Sequence, residues 1–279
     1  MSRISSLSNK PSIFVSHRNL PRPDFLPSTF RLSTLGLLLF FLIFSFQSCG
    51  LDIEDPTPPS PPQWVPKSFS EEWPERGIDA HETGGIFLEW EPNPEQEIVK
   101  YLVYRAQFFE KFDSLGDYSV LFQVEPEPNK SLSYLDREVA TSTKYFYKLK
   151  AENTSNIQSQ FSDSSWYSLL PRISIASMVP NGLLDQLSED RKLSWGYRKD
   201  IEMENYCLTL IKENDDFVYR ELFSPGNYVN DGESKLIPMS IILELGHIYK
   251  WRIDTGAKYI MEFETAGSES PWATFLYGG

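Results

Sequence analysis

Hydrophobic and polar residues alternate with a period of two along much of the chain beyond residue 70. The alternation runs through residues 86–90, 101–104 and 145–150, and it returns in residues 249–253. Because successive side chains of a β-strand point to opposite faces of its sheet, this pattern predicts strands with one buried face. No segment beyond residue 50 has the apolar spacing of an amphipathic helix of ten or more residues. The pattern therefore predicts an all-β protein.

Three aromatic residues of the first half recur in the second half at a nearly constant distance. The pairs are Trp90 and Trp195, Tyr101 and Tyr206, and Tyr145 and Tyr249. Separations of 105, 105 and 104 residues indicate a duplicated domain rather than a short-period repeat. Short strands in units of about 100 residues predict two tandem seven-stranded antiparallel β-sandwiches. We assign the first sandwich to residues 71–169 and the second to residues 170–279.

Both repeats resemble fibronectin type III domains, and the resemblance covers roughly residues 70–279. In that family a strand-B tryptophan and a strand-C tyrosine pack in the core, and a strand-F tyrosine forms the tyrosine corner. Val139 and Leu243 match the apolar residue that usually lies six positions before the corner tyrosine. The resemblance implies an immunoglobulin-like fold with the following core residues: Trp90, Tyr101, Tyr145, Trp195, Tyr206, Tyr249 and Trp251.

The N-terminal segment has the pattern of a targeting signal. Residues 35–46 form an uncharged run of 12 residues, which is shorter than the roughly 20 residues that span a bilayer. Arg31 precedes the run and Cys49 follows Ser48 directly. Residues 31–50 resemble a bacterial lipoprotein signal peptide, in which a peptidase cuts before a cysteine that carries a lipid. An uncleaved signal anchor with an incidental cysteine is the alternative.

The lipoprotein resemblance implies a cleaved signal peptide (residues 1–48), acyl chains such as palmitate on Cys49, and attachment to a membrane of the bacterial cell envelope. The outer membrane is favoured over the inner one, with the globular part outside the cytoplasm. Residues 49–70 are acidic and then rich in proline. Proline enforces extended conformations, so we predict a semi-rigid linker here.

Composition and charge exclude some classes of function. Hydrophobic residues make up 41% of the 279 residues and aromatic residues 14%, which is enough for substantial cores. The net charge is −13, and residues 1–48 carry five basic side chains and one acidic, so the remainder carries −17. Such an acidic body repels phosphate backbones, and we therefore predict no nucleic-acid partner.

The sequence contains no recognisable catalytic constellation, and we predict no enzyme activity, no cofactor and no metal site. The two cysteines, Cys49 and Cys207, cannot form a disulfide framework or a four-thiolate zinc site. Residues 213–216 are mostly acidic but lack the ordered spacing of a calcium loop. Cys207 points away from the core side of its predicted strand, so we expect a half-covered surface residue. A reactive or cross-linking thiol is the alternative, and the lack of a positioned base to lower the pKa of the thiol disfavours it.

An aromatic cluster after the predicted strand C, at Phe108, Phe109 and Phe112, is the candidate ligand-binding feature. We expect it to pack beneath the adjoining loop, and an exposed contact surface is the alternative. The leading function is a non-enzymatic, lipid-anchored envelope protein whose sandwiches act as spacers or protein-interaction modules. A glycan-binding accessory lipoprotein would need exposed aromatic residues, with Trp64 and Trp73 as further candidates, and an enzyme with an unrecognised site is a third possibility.

Overall fold

The structure is a computed structural model that describes residues 57–68, 72–196, 204–225, 232–257 and 265–278. The predicted signal peptide and Cys49 lie outside these residues. Regular structure in the described part consists of strands and two three-residue 3-10 turns, at Glu110–Phe112 and Ile175–Ser177. The predicted all-β sandwich class is therefore confirmed, as is the lack of long helices in the described ranges.

The first sandwich packs a sheet centred on β3 against a sheet that contains β4 and β8. Its strands are β1 (Gln63–Trp64), β2 (Asp79–Ala80), β3 (Ile86–Glu91), β4 (Ile98–Phe109), β5 (Ser114–Leu115), β6 (Ser119–Val124), β7 (Leu132–Asp136), β8 (Lys144–Asn153) and β9 (Ser165–Leu169). β3 pairs with β1, β2 and β7, and β4 pairs with β5, β6 and β8, all antiparallel. β9 lies antiparallel to β8.

The second sandwich repeats this arrangement with fewer strands in its smaller sheet. Its strands are β10 (Lys192–Gly196), β11 (Asn205–Lys212), β12 (Phe217–Phe223), β13 (Gly232–Leu236), β14 (His247–Ala257), β15 (Ala266–Glu269) and β16 (Ala273–Tyr277). β10 pairs with β13, and the larger sheet has the order β12-β11-β14. β15 and β16 pair with opposite halves of β14.

Two hydrophobic cores lie along the chain, one in each sandwich. The first core contains buried residues between Ile78 and Tyr167, and the second contains buried residues between Ile173 and Phe275. All seven residues assigned to the cores from the sequence are at most 6% exposed. In each sandwich, alternate side chains of a strand point into the core and the others point away from it, as the period-two pattern requires. The proposed boundary between residues 169 and 170 stays a prediction.

Both repeats contain a tyrosine corner with the same hydrogen bond. The hydroxyl of Tyr145 accepts a 3.1 Å hydrogen bond from the backbone N–H of Ala140. The hydroxyl of Tyr249 accepts a 2.8 Å hydrogen bond from the backbone N–H of Glu244, also five residues earlier. Each bond anchors the loop that precedes the strand to the strand itself, so the corner fixes the same connection in both sandwiches.

The larger sheets of the two sandwiches are joined edge to edge. β9 of the first sandwich pairs in parallel with β15 of the second, with Ser168 opposite Ala266. The backbone N–H of Leu170 donates a 2.8 Å hydrogen bond to the carbonyl of Gly267. The result is one sheet that continues from β12 to β4 through both sandwiches. The described residues accordingly belong to a single compact unit.

The predicted linker over residues 49–70 is wrong for its described part. Gln63 and Trp64 form β1, which pairs with β3, and Val65 is only 5% exposed. The side-chain amide of Asn93 donates a 2.7 Å hydrogen bond to the carbonyl of Ser60. Proline is tolerated at the edge of a sheet, where one side needs no ladder hydrogen bonds, so a proline-rich segment serves here as an edge strand.

Candidate functional site

A group of buried charged residues lies where the two sandwiches meet. The outer face of β11, β12 and β14 in the second sandwich packs against the segment from residue 73 to residue 82 of the first. We call the charged residues of this contact the junction cluster; it consists of Lys67, Glu75, Asp79, Glu82, Arg220, Arg252, Asp254 and Glu269.

Arg252 on β14 is the centre of the junction cluster. Its side chain is 5% exposed, and its guanidinium lies 5.6 Å from the ring centre of Trp73 and 5.0 Å from that of Trp272. Its terminal nitrogens donate two hydrogen bonds of 3.0 Å to the carboxylate of Glu269. Its Nε lies 2.9 Å from a carboxylate oxygen of Asp254. The guanidinium thus packs against two aromatic rings while it holds two carboxylates.

Glu75 connects the first sandwich to two strands of the second. Its carboxylate accepts hydrogen bonds from Arg252 on β14 and from Arg220 on β12. The side chain of Arg220 is 1% exposed and donates a 2.6 Å hydrogen bond to the hydroxyl of Thr209 on β11. One carboxylate of the first sandwich therefore holds the two strands that flank β11 in the second through charge-assisted hydrogen bonds.

Two carboxyl groups of the junction cluster have raised pKa values because they are buried. Burial raises the pKa of Asp254 to about 7, although the positive charge of Arg252 opposes the shift. Burial also raises the pKa of Glu269 well above its ordinary value, again against the effect of Arg252. Within the junction cluster as described, five carboxylates face three cations. The excess of carboxylates explains why the arginines do not cancel the effect of burial.

A cavity of about 280 Å³ opens beside the junction cluster. Trp73, His81, Glu82, Phe87 and Arg252 are among its lining residues. Burial lowers the pKa of His81, which favours its neutral form. The charged groups at the cavity form ion pairs with one another. A buried ion-pair network of this kind shifts pKa values without any catalytic role. The arrangement therefore serves best as a contact that holds the two sandwiches together.

A second feature lies on the outer face of the larger sheet of the first sandwich. Aromatic side chains from β4, β8, β9 and the adjoining loops surround three lysines of β8. We call this surface the aromatic–lysine face; it consists of Tyr104, Phe108, Tyr118, Lys144, Phe146, Lys148, Lys150, Phe161 and Trp166.

One end of the aromatic–lysine face is built around Lys144. Its amine lies 5.4 Å from the ring centre of Phe108 and 5.8 Å from that of Trp166. Phe146 lies between these rings, 6.2 Å from Phe108 and 6.0 Å from Trp166. Glu110 forms a 2.8 Å ion pair with Lys144. This end therefore combines stacked rings with a lysine whose charge is partly compensated.

The other end is built around Phe161, which is 40% exposed. Lys150 and Lys148 place their amines 4.6 Å and 5.6 Å from the centre of its ring. Tyr104 packs edge-on against Phe161 at 4.9 Å, and the amine of Lys148 also lies 4.8 Å from the ring centre of Tyr118. Within the described residues, no carboxylate lies within 4 Å of the amine of Lys148 or Lys150.

The structure separates the three phenylalanines that the sequence grouped as one candidate site. Phe108 is half-buried in the aromatic–lysine face. Phe109 is 42% exposed, and Phe112 is 69% exposed in the 3-10 turn after β4, where Lys111 lies over its ring. The expectation that all three pack beneath a loop is wrong, because the turn carries Phe112 away from the sheet.

The other aromatic candidates, Trp64 and Trp73, and also Cys207 lie where they contribute to packing within the fold. Trp64 packs on the first core and donates a 2.9 Å hydrogen bond to the carbonyl of Asp163. Trp73 packs edge-on against Trp272 in the junction. Cys207 is 4% exposed, so its assignment to the surface is wrong. The strand alternation was correct, but the outer face of β11 is covered by the first sandwich, which no local pattern indicates.

The remaining expected absences concern the described residues only. The acidic turn at residues 213–216 is engaged in local contacts, such as an ion pair between Asp215 and Lys250. The described part of the chain brings together no group of three or more potential metal-ligating side chains. Within the same ranges, no helix has the length and apolar character needed to cross a bilayer.

Sequence reasoning missed the aromatic–lysine face and the junction cluster, although signals for both exist. Lys148 and Lys150 stand in the polar positions of an alternating strand, and Arg252 and Asp254 stand in the same positions of the second repeat. A strand pattern shows that such side chains leave the core. It does not show whether they meet solvent or another domain.

Comparisons with known proteins add likenesses to solved structures. No protein-family model and no curated protein matches the chain. Among solved structures, the chain is similar to the FN1–FN3 domains of chicken CNTN1, with a TM-score of 0.31 and 14% sequence identity. The likeness covers 79% of this chain and 69% of that chain. The sandwich fold itself rests on the strand pairing and the two cores described above.

Proposed function

We propose that this chain is a non-enzymatic, lipid-anchored protein of the bacterial cell envelope whose two β-sandwiches form a stiff interaction module. The observation that carries the module part of the proposal is the junction between the sandwiches. A continuous sheet and a buried ion network connect them. Interfaces between domains usually permit relative motion unless they are extensive, so this junction favours a fixed arrangement.

The anchor part of the proposal rests on residues 31–50, with Cys49 as the lipidated residue. Thr57 contacts the first sandwich, since its carbonyl accepts a hydrogen bond from the side chain of Asn153. The tether from Cys49 to this contact therefore consists of eight residue steps. A fully extended chain covers about 3.3–3.6 Å per residue, which limits this tether to about 26–29 Å. A protein anchored in this way holds its first sandwich close to the membrane surface.

The first test is intact-mass and N-terminal peptide analysis of the protein from its native membrane. We expect the wild type to begin at Cys49 with the added mass of acyl chains, and to sediment with membranes. The Cys49→Ala variant should lose both properties. A wild-type protein that retains residues 1–48 and an unmodified Cys49 would overturn the lipid anchor.

The stiff arrangement has a separate test. Spin labels placed on exposed positions of the two sandwiches, such as Lys130 and Lys192, report the distribution of distances between them. We expect one narrow distribution for the wild type and a broader one when Glu75, which joins the sandwiches through Arg220 and Arg252, is replaced by alanine. A broad distribution in the wild type would contradict the proposed stiffness.

A further inference from the structure

We propose that the aromatic–lysine face binds a linear acidic polysaccharide, with sugar rings on its aromatic side chains and sugar carboxylates on Lys148 and Lys150. This inference deepens the interaction part of the proposed function by naming the class of partner. It does not depend on the lipid anchor or on the stiffness of the junction.

The side chains of this face offer both kinds of contact that an acidic sugar needs. Phe161 exposes 40% of its surface, and Tyr104 packs edge-on beside it at 4.9 Å. The C–H groups of a pyranose ring pack on the negative face of an aromatic ring, as cations do. The amines of Lys148 and Lys150 lie over the same ring, 5.6 Å and 4.6 Å from its centre, and have no carboxylate within 4 Å in the described part of the chain.

The shape of the face favours a linear ligand. Lys144, Lys148 and Lys150 all lie on the outer side of β8, where alternate residues point in one direction. A strand rises about 3.3 Å per residue, so this row extends over about 20 Å. An extended row of aromatic rings and lysines on one strand fits several consecutive sugars of a chain, whereas small molecules usually bind in concave pockets.

Charge complementarity identifies the ligand as an anion. The chain beyond residue 48 carries a charge of −17, yet the three charged residues on the outer side of β8 between positions 144 and 150 are all lysines. At physiological salt the field of a charge is screened within about 8 Å, so an anion close to this row responds mainly to the lysines. Glu110, paired with Lys144, weakens the attraction at one end.

The same charge balance favours a polysaccharide over a nucleic acid. Double-stranded DNA carries about one charge per 1.7 Å, a density that two lysines within a row of about 20 Å would neutralise only in small part. A polysaccharide with one carboxylate on each sugar has a lower charge density and a larger share of ring surface. Lysines that flank exposed aromatic rings match widely spaced carboxylates and sugar-ring surfaces better than they match a dense row of phosphates.

Binding should be measured with the full-length chain in detergent. The probes are size-fractionated polygalacturonate, alginate and hyaluronan, with neutral dextran and a 20-nucleotide single-stranded DNA as comparisons. We expect at least one acidic polysaccharide to bind and dextran not to bind. The Lys148→Gln/Lys150→Gln variant should bind about tenfold more weakly, because two ion pairs are lost while the aliphatic stems remain. Phe161→Ala should weaken binding by a similar factor.

Matched controls separate this face from the general surface. Lys130→Gln/Lys192→Gln removes the same charge from exposed positions outside the face, and Phe217→Ala removes a 51% exposed phenylalanine from the second sandwich. Both controls should bind like the wild type. The Lys148→Arg/Lys150→Arg variant should retain binding, since it keeps both charges, and added salt should weaken binding to the wild type.

Several results would overturn the proposal. They are an absence of binding to all three acidic polysaccharides, equal weakening by the face and control variants, and tighter binding of the DNA than of any polysaccharide. A wild-type dimer that becomes a monomer in Lys148→Gln/Lys150→Gln would assign the face to self-association instead. A failure of lipidation at Cys49 would leave these binding results unchanged, so the two proposals fail separately.

Discussion

Lys148 in β8 and Arg252 in β14 occupy the same position in their sandwiches, 104 residues apart, and meet opposite environments. Lys148 lies opposite Tyr104 in its sheet, and Arg252 lies opposite Thr209. The amine of Lys148 lies beside the exposed ring of Phe161. The guanidinium of Arg252 is buried against two tryptophans and ion-paired with carboxylates.

The difference shows which part of a duplicated sandwich is free to change. The core residues and the tyrosine corner are the same in both repeats, because each sandwich needs them to fold. The outer face of the larger sheet has no such constraint. In the second repeat this face is covered by the first sandwich, and in the first repeat it remains open. Duplication thus supplied one face for assembly and left the other available for a partner.

Removing the positive charge at these equivalent positions should separate the two faces most strongly. Arg252→Ala leaves Asp254 and Glu269 buried without their main cation, and breaking a buried ion pair from one side costs about 3–5 kcal/mol. Lys148→Ala should change the free energy of unfolding by less than about 0.5 kcal/mol. Urea denaturation of both variants measures the difference, and equal losses would show that the two positions are not in different environments.

A carboxyl group in the junction and one in the first sandwich should change stability in opposite directions as the pH rises: Asp254 should lower it and Glu152 should raise it. The pKa of Asp254 is raised from 3.8 to about 7 by burial, so the folded protein holds a proton that the unfolded chain releases in this window. The contribution of Asp254 to stability is therefore greatest below pH 4 and is lost as the pH rises to about 7. Asp254→Asn should become more stable relative to the wild type across this window.

Glu152 provides the control for this measurement. Burial raises its pKa, but hydrogen bonds from Lys100 and Gln158 outweigh burial and leave the pKa below 4.5. Its contribution to stability is present above pH 4.5 and is lost as the pH falls further. Glu152→Gln should therefore be destabilised at pH 7 and less so in acid. Denaturation curves at several pH values test both variants, and parallel profiles would contradict the assignment of the junction carboxyls.

The fold was predictable from the sequence because its signals are local and repeated. The alternation in strands and the corner tyrosines each depend on residues within one sandwich, and the spacing of Trp90 and Trp195 shows that the same signals recur in the second. The proline-rich segment was misassigned because proline signals extended chain equally well in a linker and in an edge strand. The pairing of Trp64 with Trp90 decides between them, and it depends on a contact between distant residues.

The candidate sites were less predictable because both depend on which surfaces meet. Cys207, Arg252 and Asp254 occupy polar positions of their strands, and residues of the other sandwich such as Trp73 and Glu75 help to cover them. On the open face, Phe161 lies in the loop after β8, and no strand pattern shows that this loop places its ring over Lys148 and Lys150. Local patterns identify the faces of a strand, whereas tertiary contacts determine what covers each face.

The edge-to-edge joint between the sandwiches should be sensitive to a side chain at Gly267. A Cβ atom at this position would lie 2.5 Å from the hydroxyl of Tyr167 and 2.7 Å from the carbonyl of Thr255. Gly267→Ala should therefore force β15 away from β14 and from the Tyr167 side chain of β9, at a cost of about 1–3 kcal/mol for overpacking. Denaturation measures the loss, and the spin-label distances should broaden. A variant with unchanged stability and distances would show that the joint tolerates separation.

The smallest expected effect concerns the feature that both repeats share. Tyr145→Phe and Tyr249→Phe each remove one hydroxyl that accepts a backbone hydrogen bond, from Ala140 and Glu244 respectively. Each variant should lose about 0.5–1.5 kcal/mol, because the aromatic ring still fills the core and only one hydrogen bond is lost. Calorimetry on both variants tests whether the two losses agree. A loss confined to one repeat would show that the corners, despite their matching geometry, do not contribute equally to their sandwiches.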